Sequence, residues 1–455
     1  MFSDAAAAVR QRLARGPLTS RALQEQTGLS QPTVSRALAA LSRLGGELLR
    51  GGAGRSTIYS LVDSSPDLPP LAVQRVDGHG RLARLGLLTP LRPAGFAMQR
   101  DDGTTQFSEG LPWWLADLRP QGFLGRALAL RHGAALGLPP SINDWSDRHV
   151  LRALAAFGDD AVGNLLLGDA ARDRFLGAET PSPIAATERP AAYATLAARA
   201  LQGELAGSSA GGEQPKFTAF AHTAAGPTHV LVKFSLAEAH PVAARWRDLL
   251  LAEHLALQTL RDSGLQAARS TVLEHGLQRF LELERFDRVG TLGRRALHSL
   301  GCLDDEFVGD RSAPWPVAVR ALAARGVVQP EACAAVEALY AFGTLIGNSD
   351  MHMGNLSFLG DDGPPCALAP AYDMLPMAFA PTAAGALRDE LPPLRLPPAV
   401  ALTAWPLALE RARAFMARVQ SALEDGALST AFRPCADALA ARLSDAARQV
   451  GRIAA

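Results

Sequence analysis

The chain has 455 residues, enough for two or three domains with their own hydrophobic cores. Its 45 basic and 45 acidic side chains cancel, which excludes a protein that coats nucleic acid over its whole surface but allows local basic patches. The four cysteines are far apart, which excludes a disulfide framework or a Cys-x-x-Cys zinc site and favours a reducing compartment. Charges interrupt every apolar stretch and no signal-peptide pattern is present, so we expect a cytoplasmic protein without membrane contact.

Residues 1–62 are predicted to form a separate unit of helices followed by two short strands. A short link joins the second and third helices, the length of a helix-turn-helix, and Ser30 is the predicted N-cap of the third helix. Strands at 47–50 and 56–61 surround a glycine-rich turn and would form a wing. Eight arginines against three acidic residues give the unit a local excess of positive charge. The region resembles a winged helix-turn-helix domain, whose third helix enters the major groove of DNA.

This resemblance implies base contacts from the start of the third helix and phosphate contacts from the wing. The expected DNA-binding residues are Gln31, Thr33, Ser35, Arg36, Arg50 and Arg55. A helical module for dimerisation or partner docking that never touches DNA is the alternative. The proline-rich residues 63–74 are predicted to be a stiff, extended linker to the rest of the chain.

Lysine and asparagine are rare in this chain. Only Lys216 and Lys233 occur among the 45 basic residues, and there are only four asparagines. A chain that avoids these residue types keeps them where arginine or aspartate does not substitute, and lysine presents a compact point charge that suits phosphate. Both lysines, with Asn348 and Asn355, fall between residues 207 and 373. This clustering indicates a phosphate-binding core.

A glycine-rich segment over residues 207–217 leads up to the first of these lysines. Its small residues let backbone amides approach a phosphate, although the ending of a Walker loop is missing. In the strand 229–234 that follows, Lys233 lies inside an apolar run, where an unpaired ammonium would be costly. The helix 247–260 offers Glu253 as its ion-pair partner, or else carries Glu253 on a solvated face. The predicted nucleotide-binding residues are Ser209, Ala210, Gly211, Gly212, Lys216, Lys233 and Glu253.

A polar stretch between two apolar runs, within residues 345–359, carries the most informative motif of the sequence. Asp350 and Asn355 have the spacing of a kinase catalytic loop, in which the aspartate accepts a hydroxyl proton and the asparagine binds a metal on the nucleotide phosphates. Asp373 downstream is available as the main metal ligand. Taken alone, the stretch also fits a polar turn between two strands. The surrounding pattern predicts helices over 297–304, 330–346, 401–424 and 433–451.

These motifs, in this order, resemble the HipA family of bacterial toxin kinases over residues 75–450. With a winged helix-turn-helix in front, the chain resembles the YjjJ-like branch of that family. The motifs are Ser-x-Ala-Gly-Gly at 208–212, the strand lysine, Glu-Arg-Phe-Asp-Arg at 284–288, Asn-x-Asp-x-His-x-x-Asn at 348–355 and Tyr372-Asp373.

The resemblance implies an α+β fold, with a winged helix-turn-helix followed by a bilobal protein-kinase-like part whose C-terminal lobe is mostly helical. The expected domains are the winged unit at 1–62, the linker at 63–74, an N-terminal lobe with the glycine-rich loop at 75–285, and a C-terminal lobe with the catalytic loop at 286–455.

The implied activity is serine/threonine phosphorylation with ATP and Mg²⁺. Carried over by motif, Asp350 is the catalytic base, His352 braces the loop, Lys233 holds the nucleotide phosphates, and Asn355 and Asp373 bind the metal. Family knowledge further implies a protein substrate, in the translation machinery for the best-known relative, and a separate DNA-binding antitoxin. Because a DNA-binding unit is built in here, we expect it to autoregulate transcription.

Ser208 best matches the serine that relatives autophosphorylate. The chain departs from the family pattern in two places. Glu213 and Gln214 are exchanged and Pro215 stands before the lysine, and Gly354 takes the place of a lysine found in several relatives. These departures bear on loop geometry and on substrate charge preference, not on the phosphotransfer residues.

Two other functions are compatible with the sequence. One is a transcriptional regulator whose kinase-like part only senses a nucleotide, against which the retained Lys233, Asp350, Asn355 and Asp373 argue. The other is a small-molecule kinase, since aminoglycoside-kinase-like folds share the Asp-x-His-x-x-Asn arrangement. A homodimer is compatible with either function.

Overall fold

The structure of the protein is a computed structural model that describes residues 3–43, 47–52, 56–203, 212–361 and 363–454. It mixes helices with antiparallel sheets in four consecutive parts. Within the described residues, every helix is too short or too polar to span a membrane.

The first part packs three helices on a small antiparallel sheet with the strand order β1-β3-β2. Thr19 caps the second helix by accepting the Ala22 N–H at 3.2 Å, and Gly28 ends that helix at φ 71°, a conformation that suits glycine. The third helix buries its apolar side and leaves most of its first turn exposed. The elements are α1 (Asp4–Leu13), β1 (Leu18–Thr19), α2 (Ser20–Thr27), α3 (Gln31–Arg43), β2 (Leu48–Gly51) and β3 (Ile58–Leu61).

The second part, called here the middle part, is a five-stranded antiparallel sheet covered by helices. Its strand order is β7-β6-β5-β4-β8, and its first strand begins at Leu71, within the stretch predicted as a linker. The strands are β4 (Leu71–Val76), β5 (Leu82–Pro90), β6 (Phe96–Arg100), β7 (Thr105–Ser108) and β8 (Leu165–Leu167), and the helices are α4 (Gly122–His132), α5 (Asp147–Phe157) and α6 (Gly168–Gly177).

Backbone pairing joins the first part to the middle part. The Asp63 N–H donates to the Pro90 carbonyl at 2.9 Å, and the Arg92 N–H donates to the Leu61 carbonyl at 2.9 Å. The end of β3 therefore continues as an edge of the β5–β6 hairpin. Residues 63–70 lie against the middle part, which is a closer attachment than an extended linker provides.

Side chains strengthen the same attachment. The Asp63 carboxylate accepts from Arg148 at 2.8 Å, and the same guanidinium donates to Asp67 at 2.8 Å. Gly51 on β2 meets the ring of Phe107 on β7 so closely that a Cβ at Gly51 would lie 2.3 Å from a ring carbon. The first part is thus held at its strand β2 as well as at its end.

The third part is a four-stranded antiparallel sheet with the order β11-β12-β10-β9 and one helix on each side. Lys216 on β9 and Lys233 on β10 are directly opposite each other, so the two lysines of the chain are neighbours in the sheet. The elements are α7 (Arg189–Leu201), β9 (Lys216–Thr223), β10 (Gly226–Phe234), α8 (Pro241–Asp262), β11 (Ser270–His275) and β12 (Gln278–Glu284).

The fourth part is mainly helical and holds the largest hydrophobic cluster. The stretch 297–304, predicted as a helix, begins as the strand β15, because residues 297–299 pair with β16; the helix starts at Leu300, with Ser299 as its cap. The elements are β13 (Arg288–Val289), β14 (Gly293–Arg294), β15 (Leu297–Ser299), α9 (Leu300–Phe307), α10 (Trp315–Ala324), α11 (Ala332–Ile346), β16 (Ser357–Leu359), β17 (Ala367–Leu368), α12 (Trp405–Glu424) and α13 (Arg433–Ala454).

The attachment of the first part yields a prediction for Asp63→Ala. Losing the charge-assisted hydrogen bond from Arg148 is expected to weaken the attachment by about 1.5–3 kcal/mol. Proteolytic cleavage within residues 62–70, measured under native conditions by mass spectrometry, should then accelerate by about 10- to 150-fold.

The matched control is Asp169→Ala, which removes an exposed aspartate paired with Arg172 on α6. Its cleavage rate within 62–70 should equal that of the unmodified chain. Equal rates for both variants would show that the Asp63 ion pair does not hold this segment.

Candidate active site

A buried ion cluster lies between the four-stranded sheet and helix α8. The Lys233 ammonium donates to both carboxylate oxygens of Glu253, at 2.7 and 2.8 Å, and also contacts the Asp373 carboxylate. The side chains of Lys233 and Glu253 are only 4% and 0% exposed. Burial works against the charged ammonium, but the carboxylates of Asp373 and Glu253 outweigh it and raise the pKa of Lys233 above its ordinary value. Lys233 therefore keeps its positive charge inside an apolar strand.

Lys216 lies beside this cluster, and its pKa is shifted in the opposite direction to that of Lys233. Its residue is 3% exposed, and this burial, together with the positive charge of Lys233, lowers the pKa of Lys216 to about 8, although the Asp373 carboxylate opposes the shift. Gly212 passes directly over the ammonium: a Cβ there would lie 2.8 Å from Lys216 Nζ. The end of the glycine-rich segment thus lies against a lysine. Residues 208–211, which include four predicted site residues, lie outside the described ranges.

Two asparagines hold the loop that follows α11. The Asp350 N–H donates to Asn348 Oδ1 at 3.0 Å, and Asn355 Nδ2 donates to the Asp350 carbonyl at 2.9 Å. Asn348 Nδ2 also donates to the Asp373 carbonyl at 3.2 Å. Sequence reasoning left Asn348 out of the site, although the rarity of asparagine pointed to it. Together these bonds fix the backbone of Asp350 and tie it to Asp373.

The Asp350 carboxylate itself remains open to solvent. Its side chain is 49% exposed, and its Oδ1 is 3.9 Å from the Nε2 of His352. His352 Nδ1 accepts the Gly354 N–H at 3.0 Å, and the His352 carbonyl accepts from the Trp315 indole at 3.0 Å. His352 is therefore held by its own loop and by α10. The carboxylate is held in place through its backbone while its oxygens stay accessible.

Tyr372 connects the two acidic positions of the site. Its hydroxyl donates to the Gly354 carbonyl at 2.8 Å and bonds to the Ser357 hydroxyl at 2.7 Å. The next residue, Asp373, has φ 51°; among the described residues it is the one non-glycine residue with a positive φ. A left-handed aspartate costs about 1–2 kcal/mol, so its surroundings over-determine this conformation. Strain of this kind clusters at functional sites.

These groups surround one cavity of about 580 Å³, a size typical of small-molecule sites. Of the predicted site residues, the cavity is lined by Gly212, Lys216, Lys233, His352, Asn355 and Asp373. Glu253 and Asp350 do not line it, but they are hydrogen-bonded to residues that do. The segment 284–287, which connects β12 to the fourth part and is called here the hinge, forms another wall.

A buried ion network fixes that hinge to the middle part. Arg285 donates to Asp160 at 2.8 Å and to Asp287 at 3.0 Å, and Arg288 donates to the same two carboxylates. Burial opposes ionisation of Asp287, but Arg285 and Arg288 lower its pKa to about 2. The Asp287 carboxylate also accepts the Gly163 N–H at 3.1 Å. Asp160 was not a predicted residue, since nothing in its local sequence marks it.

Asp117, His298 and Cys302 bring three potential metal-ligating atoms within 4.8 Å of one another at the edge of the cavity. Two of these groups already serve in hydrogen bonds. Asp117 accepts from Ser299, and the Cys302 thiol donates to the Trp113 carbonyl at 2.9 Å. Burial raises the pKa of the Cys302 thiol well above its ordinary value, which keeps it protonated. The cluster therefore serves to pack the middle part against α9.

Four of the predicted DNA-binding side chains are exposed. Gln31, Ser35 and Arg36 lie on the first turns of α3, and Arg50 lies on β2. Thr33 is half-buried, and its hydroxyl bonds to Ser30 at 2.9 Å. Arg55 lies outside the described residues.

Comparison with known proteins identifies the family. A model of the YjjJ-like toxin middle domain matches residues 68–176, and a model of the HipA-like C-terminal domain matches residues 208–441. The chain is also 40% identical over 443 residues to Toxin YjjJ of Escherichia coli strain K12, covering 97% of this chain and 98% of that protein. The chain belongs to the HipA-like toxin family, in its YjjJ-like branch.

A solved structure agrees with this HipA-like fold. The HipA toxin of Shewanella oneidensis MR-1, in a structure titled as a complex with HipB and operator DNA, matches with a TM-score of 0.55 at 16% identity. That match covers 83% of this chain and 97% of the Shewanella chain. The Helicobacter pylori proinflammatory kinase CtkA gives a TM-score of 0.38 at 14% identity and covers 53% of this chain and 95% of its own, too low a score to equate the two folds.

The two lysines of this HipA-like chain allow a direct test of the site's electrostatics. Protein labelled with ¹³C at lysine Cε gives two lysine signals, because the chain contains only two lysines. Lys216 is expected to titrate with a midpoint near pH 8, whereas Lys233 should stay protonated beyond pH 10.5. A Lys216→Arg variant assigns the signals. Titration of both signals near pH 10.5 would contradict the burial argument for Lys216.

The same difference predicts a pH-dependent stability. Between pH 8 and 10.5, Lys216 binds fewer protons in the folded chain than in the unfolded chain. The burial of its charged form therefore destabilises the fold below pH 8. This destabilisation disappears as the pH rises from 8 to 10.5. Lys216→Met should therefore be more stable than the unmodified chain at pH 7, by at most about 3 kcal/mol, and lose this advantage toward pH 10. Urea unfolding at both pH values measures the gap, and a gap that does not change with pH would contradict the prediction.

Proposed function

We propose that this chain is an ATP-dependent serine/threonine protein kinase of the HipA toxin type, fused to a DNA-binding domain that autoregulates transcription. One observation carries the kinase part. Lys233, paired with Glu253 at 2.7 Å, contacts Asp373 in the same cavity that Asn355 lines, and Asn355 is bonded to Asp350. A fixed ammonium, a carboxylate, an amide and an accessible second carboxylate are the groups that phosphoryl transfer requires.

In this proposal the two lysines bind the phosphates of ATP. Glu253 keeps Lys233 in place, since its carboxylate accepts two hydrogen bonds from the ammonium and has no exposed surface. Lys216 adds a second positive charge from the neighbouring strand, directly under Gly212. The backbone of residues 284–287, which forms the opposite wall, is the proposed contact for the adenine ring.

The residues present fit a magnesium ion. Mg²⁺ prefers oxygen ligands and is usually bound by one or two protein groups together with substrate phosphates. Asp373 offers a carboxylate, and Asn355 offers its Oδ1 because its Nδ2 is used by the Asp350 carbonyl. A bound ion would neutralise charge on the transferred phosphate.

Asp350 is the proposed base for the hydroxyl of the substrate. Its backbone is held at both N–H and C=O, while its carboxylate remains half exposed. It can therefore meet a serine or threonine of a protein that approaches from outside and accept its proton. His352 supports the loop by accepting the Gly354 N–H. Autophosphorylation of Ser208, which lies outside the described residues, is part of the proposal and is tested by mass spectrometry of active protein.

The DNA-binding half of the proposal is supported by the first part of the chain. Its α2–α3 turn, its sheet order and the exposed first turns of α3 suit a winged helix-turn-helix in which α3 enters the major groove. The proposed limits are 1–62 for the winged unit, 75–285 for the N-terminal lobe and 286–455 for the C-terminal lobe, although the first strand of the N-terminal lobe already begins at Leu71. DNA, a protein substrate and an antitoxin are the proposed partners, and the Shewanella relative was solved together with HipB and its operator.

The kinase proposal predicts a large loss of activity for Asp350→Asn. Removing a general base lowers the rate by about 10²–10⁴-fold. Transfer of labelled γ-phosphate from ATP, with the chain alone and with cell lysate, measures this loss and also separates protein acceptors from small-molecule acceptors. Asp445→Asn, on the exposed face of α13, is the control and should retain full activity. Unchanged labelling by Asp350→Asn would refute the assigned base.

The DNA-binding proposal predicts weaker binding for Arg36→Ala in the full chain. A lost base contact should raise the dissociation constant for the chain's own promoter by about 5- to 150-fold. A gel shift at several salt concentrations measures this effect. Arg448→Ala, on the far end of the chain, should bind like the unmodified chain. Equal affinities for the two variants, or no binding at low salt, would exclude α3 as the reading helix.

A further inference from the structure

Residues 113–126 of the middle part, named here the bridge segment, contact two regions that flank the cavity. The segment contains a short 3-10 helix, Trp113–Leu118, and the first turn of α4. Its residues Asp117, Arg119 and Gln121 line the cavity itself. A wall of the candidate active site therefore comes from the middle part of the chain, outside residues 208–441 that match the HipA-like C-terminal domain.

The first contact is with the end of the glycine-rich segment. The Phe123 N–H donates to the Gly212 carbonyl at 3.0 Å, and the Gln121 side chain makes no local cap at the start of α4. The N–H groups of a first helical turn often bond to a capping side chain, but here the Phe123 N–H bonds to the backbone of a different segment. Lys216 also lies close to Gly212, since its Nζ is 2.8 Å from the position that a Cβ at Gly212 would take.

Gly122 makes this approach possible. It has φ 60°, and a Cβ at this position would lie 2.4 Å from the Gly212 carbonyl oxygen. The glycine is therefore required for two reasons, its conformation and the close approach of another backbone. Gly137, in the same part, also has φ 60°, but the nearest atom to its Cβ position is Arg152 Nη2 at 3.8 Å. The two glycines have the same φ and differ in what lies beside them.

The second contact leads to the catalytic loop. Asp117 accepts the Ser299 N–H at 2.6 Å and the Ser299 hydroxyl at 2.7 Å. Ser299 ends β15 directly opposite Ser357, the first residue of β16. The Ser357 hydroxyl bonds to Tyr372, and Tyr372 donates to the Gly354 carbonyl. A continuous set of contacts thus runs from Asp117 to the loop that holds Asp350.

We propose that the bridge segment sets the position of Gly212, which lies in the described end of the glycine-rich segment, relative to the catalytic loop, with Gly122 and Asp117 as positioning residues. Gly122 acts on nucleotide binding through Gly212, and Asp117 acts on phosphate transfer through Ser299. The middle part is then required for full kinase activity. This inference rests on the kinase function proposed above.

The test compares Gly122→Ala with Gly137→Ala in the full chain. Both variants place a Cβ on a backbone with φ 60°, where a side chain is strained whatever its surroundings. Only Gly122→Ala has to displace Gly212. We expect Gly122→Ala to raise the KM for ATP by about tenfold at unchanged kcat, and Gly137→Ala to keep the KM of the unmodified chain. Thermal unfolding of both variants shows that the fold is retained to the same extent.

The second arm uses Asp117→Asn, which replaces one acceptor with an amide donor. We expect kcat to fall about tenfold while the KM for ATP stays unchanged. If Asp117 acts through Ser299, then adding Ser299→Ala to Asp117→Asn lowers kcat no further than the more severe single substitution does. A role in stability alone would lower the apparent kcat only in proportion to the folded fraction, which thermal unfolding of each variant measures, and the losses from the two substitutions would then be additive.

The outcomes separate this inference from the function on which it rests. If the unmodified chain transfers no phosphate, the proposed function is wrong and the inference falls with it. If the unmodified chain is active and Gly122→Ala matches Gly137→Ala in KM, while Asp117→Asn leaves kcat unchanged, the inference alone is overturned.

Discussion

The charge on Lys233 is the constraint on which the rest of this structure depends. An ammonium inside an apolar strand is tolerated only if carboxylates compensate it, and Lys233 has two, Glu253 and Asp373. These partners come from different elements, one from α8 and one from the loop after β17. Satisfying one buried charge therefore joins the sheet, the helix and the acidic loop at a single point, and that point opens onto the cavity.

The hydrogen bonds around the cavity extend this arrangement outward. Asn348 and Asn355 hold Asp350, and Asn348 reaches the carbonyl of Asp373, so the two acidic residues have a fixed relation. The middle part contacts the walls of the cavity at two places. Asp160 bonds to the hinge, and the bridge segment bonds to Ser299 and Gly212. The cavity is thus bounded by the middle, third and fourth parts of the chain. Its walls therefore come from both of the domains that the family models match, the middle domain at 68–176 and the C-terminal domain at 208–441.

The local part of this site could be predicted from the sequence. Rare residue types and motif spacing pointed to Lys233, Asn355 and Asp373, and the pairing of Lys233 with Glu253 follows from the cost of a buried charge. Long-range contacts left no such signal. Asp160 and Asp117 act on residues more than a hundred positions away, and the attachment of residues 62–70 arises from backbone pairing, which any sequence can form. The prediction of a helix at residues 297–299 was wrong because their pairing with β16 is also a tertiary contact, which the local sequence does not reveal.

The most direct test of this account is to observe the two lysines while ATP is added. With ¹³Cε-lysine protein, both signals should shift on addition of ATP with Mg²⁺, because phosphate replaces part of the carboxylate environment of Lys233 and approaches Lys216. Adenosine alone should shift neither signal, because it carries no phosphate. If both lysine signals remain unchanged at millimolar ATP, the cluster does not bind phosphate and the account is wrong.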